Sequence, residues 1–204
     1  MADELDVDLT AWLPAYRGAG RLSMTGQLRG MADRISAACV AAGTPREPAL
    51  VERVTDRALP LFYRSIRLDP QADDLLTRLR GLGLALALVS NASSYSEEVL
   101  SSFRLRERFD AVVLSYELGV LKPHPSIYLK AAAQLGVRTE ACVFIGDGGD
   151  EELAGARQVG MHTILVDRGL PHCAAAREVA AGVVASLAEV AEEVRILSRG
   201  RSRA

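Results

Sequence analysis

The sequence predicts an α/β protein in which a parallel sheet carries helices on both faces and a helical segment precedes it. Three observations lead to that expectation. From Asp69 to Val184, short apolar runs alternate with helical patterns, as they do when a parallel sheet is covered on both sides. Within that stretch, Ala141 to Val166 (ACVFIGDGGDEELAGARQVGMHTILV) reads as a buried strand, an acidic glycine loop, a helix and a second buried strand. Ahead of it, residues 1 to about 66 show helical patterning instead.

Taken in order, Leu9, Trp12, Leu13 and Tyr16 recur at i, i+3, i+4, i+7 and predict a first helix. A second is expected from about Gln27 to Ala42, stopped by Gly43-Thr44-Pro45. A third should run from Pro48 to about Arg64, with proline in its first turn where a missing N–H costs nothing. Asp69-Pro70 then opens a helix through Leu82. Leu84 to Val89 and Ala111 to Leu114 are apolar runs of strand length, as are Cys142 to Ile145 and, at the far edge, Gly182 to Ala185. A last helix starts at Ser186. This gives a helical segment over 1–66, an α/β core over 67–197 and a basic tail over 198–204, whose lack of core residues predicts disorder.

Chemistry gathers where apolar runs end. In an open α/β sheet, ligands sit beyond the carboxyl ends of the strands. Gly146-Asp147-Gly148-Gly149-Asp150-Glu151-Glu152 crowds four carboxylates into one such turn. They repel one another unless a hard cation neutralises them, and Mg²⁺ prefers oxygen ligands while keeping several waters. The competing reading is a solvated loop whose acids favour the first turn of the next helix. After Leu84 to Val89 come Ser90-Asn91, a hydroxyl and an amide able to donate to a phosphoryl oxygen, though Ser and Asn also favour helix caps. After Ala111 to Leu114 the loop contains Lys122-Pro123, and its ammonium could reach the same rim.

That order, apolar run with Ser-Asn, then Lys-Pro, then apolar run with Gly-Asp and an acidic loop, resembles the haloacid dehalogenase superfamily of hydrolases. The resemblance spans roughly Asp69 to Leu187, and implies a doubly wound parallel sheet with a small helical cap. Ser90 matches the second motif, Lys122 the third, and Asp147 with a downstream acid the fourth. Aligning the helix containing Ala154-Gly155-Ala156 makes Glu152 the better second acid, with Glu151 next. The resemblance implies a Mg²⁺-dependent phosphatase acting on a small phosphorylated metabolite. Ser90 and Asn91 would hold phosphoryl oxygens, Lys122 would offset their charge, and Asp147 and Glu152 would position the metal. A non-catalytic binding or regulatory module is the alternative, and a metal-independent 2-haloacid dehalogenase a second, disfavoured because so dense a fourth motif would lack a balancing cation.

The family's first motif, an apolar strand running into Asp-x-Asp-x-Thr, supplies the nucleophile. The string Asp6-Val7-Asp8-Leu9-Thr10 is present, but Met1-Ala2-Asp3-Glu4-Leu5 ahead of it is not the apolar run that a strand buried on both faces needs. Asp8 reads instead as the N-cap of the first helix. The chain is thus expected to begin inside the cap, through a misplaced start, a truncation or a loss of chemistry. The strands flanking the absent one would be left with unpaired backbone groups.

Composition narrows the partners. The 204 residues suffice for a sizeable core, which at 49% hydrophobic and 5% aromatic residues rests on Ala, Leu and Val. A net charge of −2 gives no reason to expect nucleic acid or an anionic membrane. The apolar runs fall short of spanning length, and cytoplasm is the expected compartment. Cys39, Cys142 and Cys173 lack metal-ligand spacing; the first two read as reduced core residues.

Overall fold

The computed structural model describes residues 8–201, with side chains through residue 198. The chain divides into two compact units. One joins the N-terminal helices to Ser90–Leu105 and Leu114–Leu121; the other holds Leu68–Val89, Arg106–Val113 and the chain from Lys122 onward. The sequence pattern puts residues 67–197 in one core. Two of its loops group with the helices instead, because their side chains hydrogen-bond there.

In the helical unit, α1 (Leu9–Met24), α2 (Met31–Ala41) and α3 (Pro48–Ser65) enclose one core. Asp8 caps α1: its carboxylate accepts from the Thr10 N–H at 2.9 Å and from the Thr10 hydroxyl at 2.5 Å. Asp6 lies outside the described residues. Helix α1 continues well past Tyr16, despite Pro14, because Ala19, Gly20 and Ser23 extend the buried stripe that Trp12 begins. Helix α2 starts four residues later than its pattern suggests. Gly26, at φ +74°, turns the chain there, and any side chain at that position would strike the Tyr116 carbonyl. Met31, Ile35, Ala38 and Cys39 form the buried face of α2, and Val51, Val54 and Ala58 that of α3. Trp12 is a core residue, 2% exposed.

The second unit contains α4 (Ala72–Gly81), followed by β1 (Ala87–Ser90). After α5 (Glu97–Ser102) and α6 (Leu105–Arg108) come β2 (Ala111–Leu114) and α7 (Ser115–Leu118), α5 and α7 belonging to the helical unit. Then follow α8 (Pro125–Gln134), β3 (Val143–Gly146), α9 (Glu152–Gln158), β4 (His162–Val166), α10 (Cys173–Val179), β5 (Gly182–Val184) and α11 (Leu187–Arg201). Strands β3, β4 and β5 pair in parallel, with Ile145 opposite Ile164 and Val166 opposite Val184. Ile164 and Leu165 show why the sheet is double-faced. Ile164 packs with Leu75, Leu79, Val190 and Val194, whereas Leu165 packs with Leu153, Cys173 and Ala176. Adjacent strand residues point to opposite faces, and both are fully buried, each contributing about 1.5–3 kcal/mol. Helix α11 runs through Arg201, into the stretch expected to be a core-less tail. Val190, Ala191 and Val194 anchor it, and Ser198 bonds back to the Val194 carbonyl at 2.8 Å. Cys39 and Cys173 are buried and Cys142 is half-buried, all three free.

Strands β1 and β2 form a separate two-stranded sheet. Among the described residues, neither β1 nor β3 has a second neighbour, and both are only half-buried along their whole length. Open edges of this kind template strand pairing. Residues 1–204 should therefore self-associate as concentration rises in sedimentation velocity. A monomeric boundary at every concentration would contradict that.

Asp110 clamps the start of the two-stranded sheet. Its carboxylate accepts from the Leu86 N–H at 2.8 Å, and its own N–H donates to the Leu86 carbonyl at 2.8 Å. The Leu86 N–H holds the Asp110 carboxyl below its ordinary value, against an opposing desolvation and with Arg80 adding to it. A carboxyl depressed in the fold stabilises above its unfolded value, about 3.9, and that contribution is lost as pH falls through the folded value. Asp110→Asn should flatten the acid limb of a stability–pH profile followed by urea denaturation. An unchanged acid limb would remove Asp110 as the clamp.

Candidate active site

Lys122, Asp147 and Glu152 lie in one unit, and the structure brings the first and last into contact. Lys122 Nζ donates to Glu152 Oε2 at 2.5 Å, with side chains 13% and 6% exposed. The aromatic face of Phe144, on β3, lies 5.8 Å from the same ammonium. Glu152 Oε1 accepts from the Gly148 N–H at 3.1 Å, so both carboxylate oxygens are engaged. Asp147 begins the loop at the carboxyl end of β3, and its Oδ1 accepts from the Gly149 N–H at 3.0 Å.

The backbone that allows this is unusual. Gly148 sits at φ +86°, and Asp150 and Glu151 follow at +50° and +53°. The left-handed region costs a residue with a Cβ roughly 1–2 kcal/mol, so two such residues in a row need support. Part of it comes from Glu152, which starts α9 and ties the loop back through Gly148.

Three residues missed at the level of sequence make the pair possible. A Cβ on Gly146 would strike the Glu152 carboxylate. A Cβ on Gly155 would lie 2.6 Å from the Pro123 carbonyl and 2.8 Å from the Tyr128 hydroxyl, so α9 meets the Lys122-Pro123 loop only because that position is bare. Tyr128, fully buried on α8, donates to the Glu152 carbonyl at 2.8 Å and packs edge-on to Phe144 at 5.3 Å. Burial pushes its hydroxyl well above the ordinary tyrosine value, with the charges of Glu152 and Asp150 adding, so it stays a neutral donor. Gly155 carried a legible signal: glycine inside a helix costs about 1 kcal/mol unless something packs against it. The fixed spacing from Lys122 to Tyr128 carried none.

Ser90 and Asn91 belong to the other unit, where both are half-buried at the end of β1. The loop after them is tightly held. The Ala92 N–H donates to Ser115 Oγ at 3.0 Å, and the Ser115 hydroxyl, buried at the start of α7, reaches the Met24 carbonyl at 2.7 Å. His124 caps α8 through Nδ1, which accepts from the Ser126 N–H, and His162 opens β4.

Among the described residues, no group of three or more His, Cys, Asp or Glu side chains is placed to hold a metal ion. A Mg²⁺ that keeps its waters needs only one or two protein carboxylates plus a substrate phosphate. The Asp147 loop fits a sparse site of that kind, not an all-protein cage.

A family model described as haloacid dehalogenase-like hydrolase matches residues 12–160. The chain belongs to that family. It is 33% identical over 128 residues to glyceraldehyde 3-phosphate phosphatase of Methanopyrus kandleri, a match covering 62% of this chain and 55% of that protein. To phosphoserine phosphatase of Thermus thermophilus it is 36% identical over 113 residues, covering 53% and 45%. The chain thus spans about half the length of these relatives. Among solved structures, a HAD phosphatase from Thermococcus onnurineus superposes with a TM-score of 0.61 at 21% identity, covering 91% of this chain and 86% of that one. A 2-haloacid dehalogenase from Pseudomonas syringae pv. Tomato gives 0.68 at 19% identity, covering 97% and 84%. Both likenesses establish the haloacid dehalogenase-like α/β fold. Among the described residues no helix is long and apolar enough to cross a membrane.

Removing one partner of a buried ion pair costs about 3–5 kcal/mol, whereas replacing both with apolar groups is often close to neutral. Lys122→Met and Glu152→Leu should each destabilise the chain by that order in urea denaturation. The double variant should recover much of the loss. Additive losses would mean that the pair is not the unit that matters.

Proposed function

We propose that the chain acts as part of a Mg²⁺-dependent phosphatase for a small phosphorylated metabolite. The observation that supports this best is the buried Lys122–Glu152 pair held beside the Asp147 loop at the carboxyl end of β3. A largely buried lysine paired with Glu152 beside the carboxyl end of β3 suits a phosphoryl group, whose charge it offsets. Ser90 and Asn91 donate to phosphoryl oxygens in this reading. Asp147 holds Mg²⁺, and Glu152 ties Lys122 to the metal loop; direct ligation by Glu152 requires release of one of its two present partners. When bound, Mg²⁺ neutralises charge on the phosphate. The phosphatase relatives favour this chemistry over dehalogenation.

Asp8 is engaged as a helix cap and is not the nucleophile in this reading. That role falls to an aspartate on a strand pairing between the open edges of β1 and β3. Its carboxylate attacks phosphorus as the ester P–O bond breaks, the departing alkoxide takes a proton, and water hydrolyses the aspartyl phosphate. Without such a carboxylate the remaining groups bind and polarise but do not attack.

Two measurements test the reading. Calorimetric titration of residues 1–204 should show Mg²⁺ binding at roughly millimolar concentration, as a sparse oxygen site gives, and Asp147→Asn should abolish it. Turnover of an aryl phosphate by residues 1–204 should sit near background and be unchanged by Asp6→Asn. Adding an upstream strand ending in the acidic motif should raise it, and Lys122→Met should then lower kcat by about 10²–10³-fold. Robust turnover by residues 1–204 that Asp6→Asn abolishes would show that the literal Asp-x-Asp-x-Thr is the first motif. Phosphate binding without turnover in the extended chain would favour a binding module.

A further inference from the structure

The loop that carries Ser90 and Asn91 is shaped by an arginine on the second helix. Arg34, on α2, places its guanidinium 3.8 Å from the centre of the Tyr16 ring. It donates from Nε and Nη2 to the Tyr16 carbonyl at 3.4 and 3.3 Å, and from Nη1 to the Tyr95 hydroxyl at 2.8 Å. A Cβ at Gly20 would lie 2.7 Å from Nη2, so the bare backbone of α1 leaves the groove in which the guanidinium rests. None of these partners is a carboxylate. The cation is balanced by a π face, a carbonyl and one hydroxyl, and the hydroxyl belongs to the loop.

Tyr95 is held from its other side as well. The Tyr63 hydroxyl, on α3, donates to the Tyr95 carbonyl at 3.3 Å, and Phe62 packs edge-on to its ring at 5.3 Å. One residue earlier, the Ser94 hydroxyl donates to the Arg29 carbonyl. Of the contacts that fix Ala92 to Ser96, those through Arg34, Phe62 and Tyr63 come from the N-terminal helices, and that through Arg29 from the turn between the first two. The Arg34 contact is charge-assisted and directional, which makes it the strongest of them.

We propose that Arg34 is a positioning residue for the Ser90–Ser96 loop, acting through the Tyr95 hydroxyl to fix where Ser90 and Asn91 present their donors. The guanidinium fork matters more than the charge. A lysine ammonium is a compact point charge without the planar fork that spans the Tyr16 carbonyl and the Tyr95 hydroxyl while covering the Tyr16 ring. The functional half of the proposal rests on the reading of Ser90 and Asn91 as phosphoryl-binding residues; the structural half does not.

The test is amide hydrogen exchange on residues 1–204, read in peptides covering Ser90–Ser96 and in control peptides from α2 and α3. Tyr95→Phe removes one oxygen and leaves the packing on Phe62 intact, so the fold should survive. It and Arg34→Met should each speed exchange in the loop by about tenfold to a hundredfold, with the controls unchanged. Arg34→Lys should restore little. The double variant should do no more than the worse single one, since both break one contact. Inorganic phosphate titrated into the same proteins should bind more weakly in the same order of variants. Unchanged loop exchange in Tyr95→Phe, full rescue by Arg34→Lys, or additive effects would each overturn the proposal. Faster exchange alongside a wild-type chain that binds no phosphate would uphold the positioning role and overturn the phosphoryl-binding reading of Ser90.

Discussion

A single buried ion pair sets the terms for one end of the α/β unit. Two charges taken out of water are stable only when each finds its partner and its hydrogen bonds. Glu152 meets that demand with Lys122 on one oxygen and the Gly148 N–H on the other. Its neighbours follow from the pair. Gly146 and Gly155 are bare so that the carboxylate and the Lys122-Pro123 loop can approach, and Tyr128 pins the first turn of α9 through the Glu152 carbonyl. The left-handed Asp150 and Glu151 are the local cost of bringing Glu152 to face Lys122 rather than solvent.

The fold was largely legible in the sequence, and for simple reasons. Apolar runs such as Ala111 to Leu114 had strand length and ended in polar turns, so β2 falls where the pattern puts it. The cap on α1 was equally plain, because Asp8 has Thr10 two residues on to donate to it. Other elements escaped because their causes are tertiary. Nothing local to Tyr16 says that α1 continues to Met24; the reason is the core that Ala19 and Ser23 enter. Likewise, the loops after β1 and β2 group with the helices through contacts such as Ser115 to Met24, 91 residues apart in sequence. At the candidate site, Lys122 and the acidic loop could be read as residue types in order. Which of the crowded acids would meet the lysine depended on the turn that Gly148 permits.

The two sheets carry a lesson about burial. Ile164 and Leu165 on β4 are wholly buried because helices cover both faces and strands flank both edges. Val143 to Gly146 and Ala87 to Ser90, comparably apolar, are half-buried. Hydrophobic sequence sets a strand's capacity for burial; its neighbours decide how much of that capacity is used.

The hydrogen bond from Gly148 to Glu152 has a covalent consequence too. An aspartate followed by glycine is prone to ageing, because the glycine nitrogen, unhindered by a side chain, attacks the aspartate carboxyl and closes a succinimide ring. At Asp147-Gly148 that nitrogen is directed at Glu152 Oε1, while Asp147 Oδ1 is turned toward the Gly149 N–H. The contact that ties the loop to Glu152 thereby holds the attacking atom away from its target. Isoaspartate at residue 147 would accumulate in step with loss of the Glu152 contact, making slow chemical decay of the backbone a clock for how often that contact opens.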